Sequence, residues 1–358
     1  MKISEAKQCI KELYLCTESV SALVGERGVG KTSTYKQCAE ELSIGYLSLY
    51  AAALEGTDFM GLPERDNEKG ITRYLAPQFL PTSDAVKAGL FPQRGILVFE
   101  EFNRVPKDTV SVLYPILLER KINGHVIAPG WKIGVTMIPS ESDNSLNNTD
   151  DAMMDRIVPF ELTPDLDEYI DFSIKNGPNE DVLLFLQMWP DMLLVSRKQD
   201  EAGGFSKAPT PRSWTKVQEI MNRIKLSGKL LEELVSGVLG TEAASVFFSF
   251  IKEQDFKIPQ TEKLLTNFDE VKPNIDEIIK KNRMDVLNII IKKAVLMFDV
   301  NGIHLGNLDA FLDFIPEEHA ISFFKLLASQ RSEDFEEAAW RLIVFNKLSD
   351  EIIGTIKQ

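Results

Sequence analysis

A glycine-rich octapeptide near the amino end restricts what this chain can fold into more than any other feature. It fits the pattern GxxxxGK[ST] at every fixed position and comprises Gly25, Glu26, Arg27, Gly28, Val29, Gly30, Lys31 and Thr32, with Ser33 directly after it. Glycines at this spacing let backbone N–H groups wrap a phosphate, the lysine supplies a positive charge, and the threonine hydroxyl binds Mg²⁺. A short apolar run precedes the octapeptide and a helical pattern follows it, as the motif requires. The sequence therefore predicts a site for a nucleoside triphosphate with Mg²⁺.

A second, acidic motif lies further along the chain. The apolar run 96–99 is typical of a strand buried on both faces of a parallel sheet, and Glu100 and Glu101 follow it directly. In phosphate-loop enzymes such a strand is expected beside the strand that leads into the loop. Its first acid holds the water shell of Mg²⁺ and its second polarises the attacking water. We therefore expect Glu100 at the metal and Glu101 as the catalytic acid-base group; a solvated acidic turn is the alternative.

Strand and helix patterns alternate through the first part of the chain. Strands are predicted at residues 21–24, 44–49, 95–99 and 131–137, and helices at 1–20, 32–42 and 107–120. This alternation predicts an α/β fold with a parallel, doubly wound sheet up to about residue 162. Beyond it the patterns become helical, at residues 179–190, 212–226, 229–253, 283–298 and 316–329.

The composition restricts the class of protein. The 358 residues include 40 Lys+Arg against 54 Asp+Glu, a net charge of −14. An acidic balance disfavours a general nucleic-acid coat, although a local basic groove stays compatible with it. No apolar run approaches the roughly 20 residues that span a bilayer, and the first residues lack a secretory signal, so we expect no membrane segment. Three cysteines without CxxC spacing favour reduced thiols and a cytoplasmic location.

Several short motifs in this order are found together in one family. Residues 100–104 (EEFNR) are similar to the signature D-E-[IL]-N-[RQ], and residues 209–214 (PTPRSW) are similar to the sensor-2 motif [ST]-P-R-[ST]-W. Further matches lie at residues 58–63 (DFMGLP), 74–81 (YLAPQFLP) and 237–244 (GVLGTEAA). Together they cover most of the chain, which resembles the MoxR-like AAA+ ATPases of a prokaryotic and phage subgroup.

The resemblance implies an architecture and an activity. It implies a P-loop AAA+ sheet core at residues 1–162, a helical lid at 163–255 and an additional helical C-terminal segment at 256–358. ATP and Mg²⁺ would lie between core and lid. The family implies a homo-oligomeric ring, most often a hexamer, in which ATP hydrolysis is coupled to remodelling or maturing a protein partner. Members are often encoded beside a von Willebrand factor A-type protein, which is the partner that the resemblance suggests.

Individual residues acquire roles through the same resemblance. Arg156 matches the arginine that reaches the γ-phosphate of the neighbouring subunit's ATP, and Arg212 matches sensor 2. The hairpin at 121–125, which carries an Asn-Gly turn signal, matches the hairpin that precedes sensor 1 in this clade. Residues 73–75 lie in an insertion that often faces the ring's pore. The alternatives are surface arginines for Arg156 and Arg212, and ordinary packing for residues 73–75.

Two positions depart from the family pattern. The sensor-1 asparagine aligns with Ile138, whose side chain cannot orient a water; Thr136, Asn144 or Asn147 would have to substitute. Glu100 replaces the usual aspartate, and its extra methylene changes the reach of the carboxylate but not its charge. Nucleotide binding is therefore expected, with slow or partner-activated turnover. Two other functions stay open: an McrB-like NTPase motor that acts on nucleic acid, and a nucleotide-gated scaffold with little hydrolysis of its own.

Overall fold

The computed structural model describes residues 1–139, 155–196, 207–253, 261–298, 305–330 and 335–356. The chain divides into two compact units. The first comprises Met1–Glu168 together with Thr210–Arg212, and the second comprises Tyr169–Pro209 together with Ser213–Gln358. The three-part division expected from the sequence, at 1–162, 163–255 and 256–358, stays a prediction.

The first unit alternates strands and helices, as the sequence predicts. Its strands are β1 (Val20–Val24), β2 (Gly45–Leu49), β3 (Leu62–Asp66), β4 (Ile71–Leu75), β5 (Gly95–Phe99), β6 (Lys121–Ile122), β7 (His125–Val126), β8 (Trp131–Met137) and β9 (Ile157–Glu161). Its helices are α1 (Ile3–Cys16), α2 (Lys31–Glu41), α3 (Gly56–Met60), α4 (Ser83–Lys87) and α5 (Lys107–Glu119). The predicted fold class, an α/β P-loop core followed by helices, is confirmed.

Five parallel strands form the central sheet in the order β2-β5-β8-β1-β9. Because the strands are parallel, the loops after β1, β5 and β8 all leave from the same edge of the sheet. The phosphate loop follows β1 and the two glutamates follow β5, so both motifs reach this edge. The expectation that β5 lies beside β1 is wrong, since β8 pairs with both strands and separates them.

The buried interior of the sheet follows from the apolar runs in the sequence. All five residues of β5 are buried, as expected for a strand with neighbours on both sides and helices over both faces. Leu97, Phe99 and Val135 are wholly buried in one apolar cluster that also contains Trp131. These residues hold the strand ends at the site edge in fixed positions.

The sequence did not predict the short helices α3 and α4, nor the strands β3, β4 and β9. The polar stretch 55–95 contains the antiparallel hairpin β3–β4, nearly all of whose residues are exposed. Since neither face of this hairpin is buried, it shows no alternation of apolar and polar residues. The strand β9 was also missed, because it contains Pro159, which is unusual inside a strand. The proline is tolerated here because β9 lies at the end of the sheet and, among the described strands, pairs with β1 alone.

After β9 the described residues are mainly helical. They are α6 (Leu166–Lys175), α7 (Glu180–Met188), α8 (Pro211–Arg223), α9 (Lys229–Leu239), α10 (Thr241–Glu253), α11 (Thr261–Thr266), α12 (Phe268–Lys280), α13 (Met284–Met297), α14 (Leu305–Phe314), α15 (Glu317–Gln330), α16 (Phe335–Trp340) and α17 (Ile343–Ile356). Among them and the earlier helices of the described ranges, none has both the length and the apolar character to cross a membrane.

The single helix predicted at 229–253 is wrong, because the chain breaks at Gly240 into α9 and α10. Gly240 has φ +95°, and a Cβ at this position would lie 2.4 Å from the carbonyl oxygen of Lys207. Only glycine accommodates both conditions. Phe247 on α10 packs edge to face against two other aromatic rings of the second unit, 5.3 Å from the ring of Phe185 and 5.6 Å from that of Trp214.

Candidate functional site

The glycine-rich octapeptide forms a tight loop between β1 and α2. Gly28 and Gly30 have φ +79° and +103°, a left-handed backbone that other residues adopt only at a cost. The loop begins with a hydrogen bond from the Gly25 amide to the carbonyl of Met137 at the end of β8, 3.2 Å long. The α2 helix starts at Lys31, so its positive amino end adjoins the loop. This is the arrangement that binds phosphate in P-loop proteins.

The Lys31 ammonium is folded into this loop, where it donates to the carbonyl oxygens of Gly25 (2.6 Å) and Glu26 (2.8 Å). The residue is only 9% exposed, and burial lowers the pKa of its ammonium to about 8. The Glu101 and Glu26 carboxylates raise the pKa, whereas the Arg212 guanidinium lowers it. Because burial removes water from this ammonium, an anion that binds beside it stabilises the charged form.

The other loop residues divide by exposure. Val29 is buried and packs against the loop's own backbone, Glu26 and Arg27 are half-buried, and Ser33 is exposed in the first turn of α2. Of these four residues, the apolar Val29 is therefore the buried one.

Arg212, far away in sequence, lies at the phosphate loop within the first compact unit. Its backbone N–H donates to the carbonyl of Gly28 over 3.1 Å. A Cβ on Gly28 would lie 3.2 Å from the Cβ of Arg212 and 2.7 Å from the hydroxyl of Thr210. The predicted sensor-2 residue and the phosphate loop are thus brought together, with charge interaction between Arg212 and Lys31.

Thr32 and Glu100 meet although they come from different elements. The Thr32 hydroxyl donates to Glu100 Oε2 over 2.9 Å, and the Ser48 hydroxyl donates to Oε1 of the same carboxylate. Mg²⁺ prefers oxygen ligands and is commonly held by one or two protein oxygens, waters and substrate phosphates. A hydroxyl that donates its proton keeps its lone pairs for a cation. Thr32 and Glu100 therefore form an oxygen donor set that fits Mg²⁺.

Glu101 adopts a left-handed backbone with φ 48° and ψ 46°, an uncommon conformation for a side-chain-bearing residue that often marks functional positions. Its amide donates to the hydroxyl of Thr136 over 3.0 Å. Its carboxylate oxygen Oε2 accepts from Tyr50 (3.1 Å) and pairs with Arg104 (3.2 Å). Both the backbone and the carboxylate of Glu101 are thereby held at the site edge.

The position aligned with sensor 1 is buried. Ile138 is 2% exposed, and its backbone N–H and C=O both bond to the side-chain amide of Asn103, at 3.2 and 2.6 Å. Of the residues considered as substitutes, Thr136 lies against the Glu101 backbone, whereas Asn144 and Asn147 fall outside the described residues. The side chain of Ile138 therefore serves packing, and Thr136 is the polar group that the end of β8 contributes to the site.

Arg156 lies away from its own chain's phosphate loop. It is exposed and directly precedes β9. In the parallel pairing of β9 with β1, Val20 faces Ile157 and Val24 faces Glu161, so Arg156 is at the opposite end of the strands from the loop. This separation corresponds to roughly 16 Å of strand at about 3.3 Å per residue.

The two small hairpins contact each other. The predicted hairpin at 121–125 is present as β6 and β7, and Asn123 donates from its side chain to the carbonyl of Met60 over 2.8 Å. The His125 Nε2 atom lies 2.7 Å from the carbonyl oxygen of Tyr74 on β4, which only accepts, so this nitrogen is the donor. Residues 73–75 are exposed; their place at a pore stays a prediction.

Sequence reasoning missed the neighbours that hold the two glutamates. Ser48 lies on β2, and Tyr50 directly follows the end of that strand. Asn103 is part of the motif at 100–104, but no role of its own was predicted for it. A signal was available for Ser48, since it interrupts the apolar strand pattern of β2. Nothing in the sequence indicates which distant side chain it faces.

No protein-family model matches the chain, and no curated protein matches it. Solved structures do, at low similarity. Thermotoga maritima RuvB, a Holliday junction branch migration motor, is 16% identical over 76% of this chain and 74% of its own, with a TM-score of 0.35. NtrX from Brucella abortus is 12% identical over 90% and 67%, with a TM-score of 0.39. A candidate ATPase from Cytophaga hutchinsonii is 15% identical over 80% and 89%, with a TM-score of 0.34. At this similarity, no activity or partner is transferred to this chain.

Proposed function

We propose that this protein is a MoxR-like AAA+ ATPase that binds Mg-ATP at the phosphate loop and hydrolyses it at a site shared between subunits. The observation that carries the proposal is the meeting of four separate segments at one sheet edge. Lys31 and Thr32 come from the loop, Glu100 and Glu101 from the end of β5, Thr136 from β8, and Arg212 from a segment much further along the chain.

Each residue has a role that its surroundings support. Lys31 and the loop amides would bind the phosphates of the nucleotide, and Thr32 with Glu100 would hold Mg²⁺, which would supply positive charge to the phosphate oxygens. Glu101 orients the attacking water and accepts its proton. Arg212 contributes positive charge at the phosphates. The lowered pKa of Lys31 supports an anion site, because burial penalises its charge until a phosphate compensates.

Arg156 acts in this proposal on the ATP of a neighbouring subunit. Its exposure and its place at the far end of β9 support action in another chain, since it cannot reach its own loop. An arginine supplied in trans stabilises the charge of the transition state and is worth about 10³-fold or more in turnover. A closed homo-oligomeric ring, hexameric by resemblance, would repeat this contact at every interface.

The work driven by hydrolysis is, by the same resemblance, the remodelling or maturation of a protein partner, such as a von Willebrand factor A-type protein. The exposed β3–β4 hairpin, with Leu62, Ile71 and Leu75 open to solvent, supports contact with a polypeptide. Cys9, Cys16 and Cys38 are all free thiols, in keeping with the cytoplasmic location that forms part of this proposal.

A second candidate is a nucleotide-gated scaffold that binds ATP but turns it over little by itself. Two observations favour it: Ile138 is buried where a polar sensor is expected, and the Glu101 carboxylate is engaged by Tyr50 and Arg104. The third candidate, an McrB-like NTPase motor, would be favoured by turnover that nucleic acid stimulates and by a preference for GTP.

The experiment is to measure phosphate release from ATP against protein concentration, with Lys31→Ala and Arg156→Ala as controls. The proposed ATPase requires a rate per subunit that rises with concentration and that both substitutions abolish. Nucleotide binding, measured separately, should be lost in Lys31→Ala and kept in Arg156→Ala. A wild type that binds ATP but is as inactive as both variants would exclude an autonomous ATPase and favour the scaffold.

A further inference from the structure

The Glu100 carboxylate is held at both oxygens by hydroxyls from two different elements. Oε2 accepts from Thr32 in the first turn of α2, and Oε1 accepts from Ser48 on β2. The backbone is held as well, because the Glu100 amide donates to the carbonyl of Leu49 over 2.8 Å. Ser48 belongs to none of the motifs that predict the site.

The strand β2 is well placed to fix this carboxylate. It pairs in parallel with β5, with Ser48 opposite Val98 and Leu49 opposite Phe99, so its end lies beside the start of the acidic pair. Tyr46, two residues earlier and therefore on the same face of the strand, reaches the carbonyl of Thr32 with its hydroxyl over 3.4 Å. One face of β2 thus contacts both the loop threonine and the acid that follows β5.

A glutamate needs this additional contact more than an aspartate does. Its extra methylene adds a rotatable bond between the backbone and the carboxylate, and restricting that freedom costs conformational entropy. Contacts at both oxygens define the plane and the direction of the carboxylate, whereas the Thr32 contact alone would define one oxygen. An aspartate at this position, one methylene shorter, would hold its carboxylate further from the two hydroxyls.

We propose that Ser48 is a positioning residue for the Mg²⁺ site, which fixes the Glu100 carboxylate against Thr32 and so makes a glutamate serviceable where aspartate is usual. Ser48 acts through Glu100 and does not itself touch metal or nucleotide. This inference rests on the proposed function, because it assigns a role within the same Mg-nucleotide site.

The test compares nucleotide binding with and without Mg²⁺, measured by fluorescence titration with a labelled ATP analogue. Removing the hydroxyl in Ser48→Ala should weaken binding in Mg²⁺ about 10-fold or more, the usual effect of losing a hydrogen bond to a charged group. Binding in EDTA should stay unchanged. Ser48→Thr, which keeps the hydroxyl and suits a strand, should restore the wild-type affinity. Ser48→Cys is similar in size to serine, but its thiol is a weak donor, so it should weaken binding as Ser48→Ala does. It replaces Ser48→Ala in the test if the alanine variant does not fold.

A double-mutant cycle with Glu100→Asp separates positioning from a general structural role. Since the shorter acid holds its carboxylate further from Ser48, adding Ser48→Ala to Glu100→Asp should weaken Mg²⁺-dependent binding less than about twofold. Equal effects of Ser48→Ala in both backgrounds, or equal losses with and without Mg²⁺, would overturn the inference. A wild type without Mg²⁺-dependent nucleotide binding would instead overturn the proposed function. A wild type that binds Mg-nucleotide, alongside a Ser48→Ala variant of equal affinity, would overturn only the role of Ser48.

Discussion

Two lysines among the described residues are nearly inaccessible to solvent, one in each compact unit, and their charges are compensated in different ways. Lys293, on α13 in the second unit, is 3% exposed and pairs with the carboxylate of Glu180. Lys31, in the first unit, is 9% exposed and donates to carbonyl oxygens of its own loop. Lys293 meets a full opposite charge, whereas Lys31 meets neutral dipoles at hydrogen-bonding distance, and burial lowers its pKa to about 8.

The two lysines differ in whether a further anion can stabilise them. A buried ion pair is compensated within the fold, and its loss leaves an uncompensated partner. A buried ammonium held by neutral carbonyls is partly compensated, so the remaining stabilisation is available to an anionic ligand. The charge of Lys31 in the first unit can therefore be stabilised further by a bound anion, whereas the charge of Lys293 in the second unit is already compensated by Glu180.

The largest expected contrast comes from replacing each lysine by methionine. Lys31→Met should reduce phosphate release about 10²- to 10³-fold, because a cation at the transferred phosphate is lost, without lowering stability. Lys293→Met should lower the free energy of unfolding by about 2 kcal/mol, since the partly exposed Glu180 is left without its cation. Activity per folded molecule should stay unchanged in Lys293→Met.

Urea unfolding together with phosphate release on both variants provides the measurement. Two results would contradict this comparison. One is a lower free energy of unfolding for Lys31→Met than for Lys293→Met, and the other is a loss of phosphate release in Lys293→Met as large as that in Lys31→Met.

The second prediction concerns how the charge of Lys31 makes stability and ATP binding depend on pH. The folded protein binds the Lys31 proton less tightly than the unfolded chain, whose lysine has a pKa near 10.5. The unfolded state therefore carries more protons between about pH 8 and pH 10.5, and the stability of the nucleotide-free protein attributable to Lys31 should rise with pH across that window. Bound phosphate restores the charge, so ATP binding at pH 8.5 should take up protons.

Calorimetry of ATP binding in buffers of different ionisation enthalpy measures this uptake. At pH 8.5 the wild type should take up a fraction of a proton beyond the amount that ATP itself accounts for. The same uptake at pH 6.5, where Lys31 is already charged, would contradict the assigned pKa.

The smallest contrast concerns two glycines. An alanine at Gly28 meets both a left-handed backbone and the Thr210 hydroxyl, 2.7 Å from the added Cβ, so Gly28→Ala should cost about 1–2 kcal/mol and weaken nucleotide binding. Gly237 lies inside α9 with nothing within 4 Å of an added Cβ. Gly237→Ala should therefore stabilise the protein by about 0.5–1 kcal/mol. Thermal unfolding and nucleotide titration distinguish the two variants. A Gly237→Ala variant less stable than the wild type would contradict the conclusion that a Cβ at this position meets no other atom.

Local patterns predicted the elements of this fold where each pattern lies within a single segment. The buried strand β5 and the hairpin β6–β7 were predicted because apolar runs and an Asn-Gly turn are local signals. The β3–β4 hairpin was not, because it buries neither face. The break at Gly240 depends on a close approach by Lys207, a contact that no window of sequence contains.

The candidate site divides in the same way. The phosphate loop and the acidic pair are contiguous motifs, and the structure brings them together through Thr32 and Glu100. The supporting contacts of Ser48, Tyr50 and Thr136 join residues on neighbouring strands, so strand order has to be known first. The insertion of β8 between β1 and β5, which places Thr136 at Glu101, was not predictable from spacing along the chain.

The claim that the catalytic site is shared between subunits is tested most directly by mixing two inactive variants. Arg156→Ala keeps Glu101 and Glu101→Gln keeps Arg156, so each alone should release almost no phosphate. In an equal mixture of subunits, about a quarter of the interfaces would join an intact Glu101 to a neighbour's intact Arg156. We expect phosphate release to recover toward about a quarter of the wild-type rate. Co-assembled mixtures that stay as inactive as either variant would contradict the shared site.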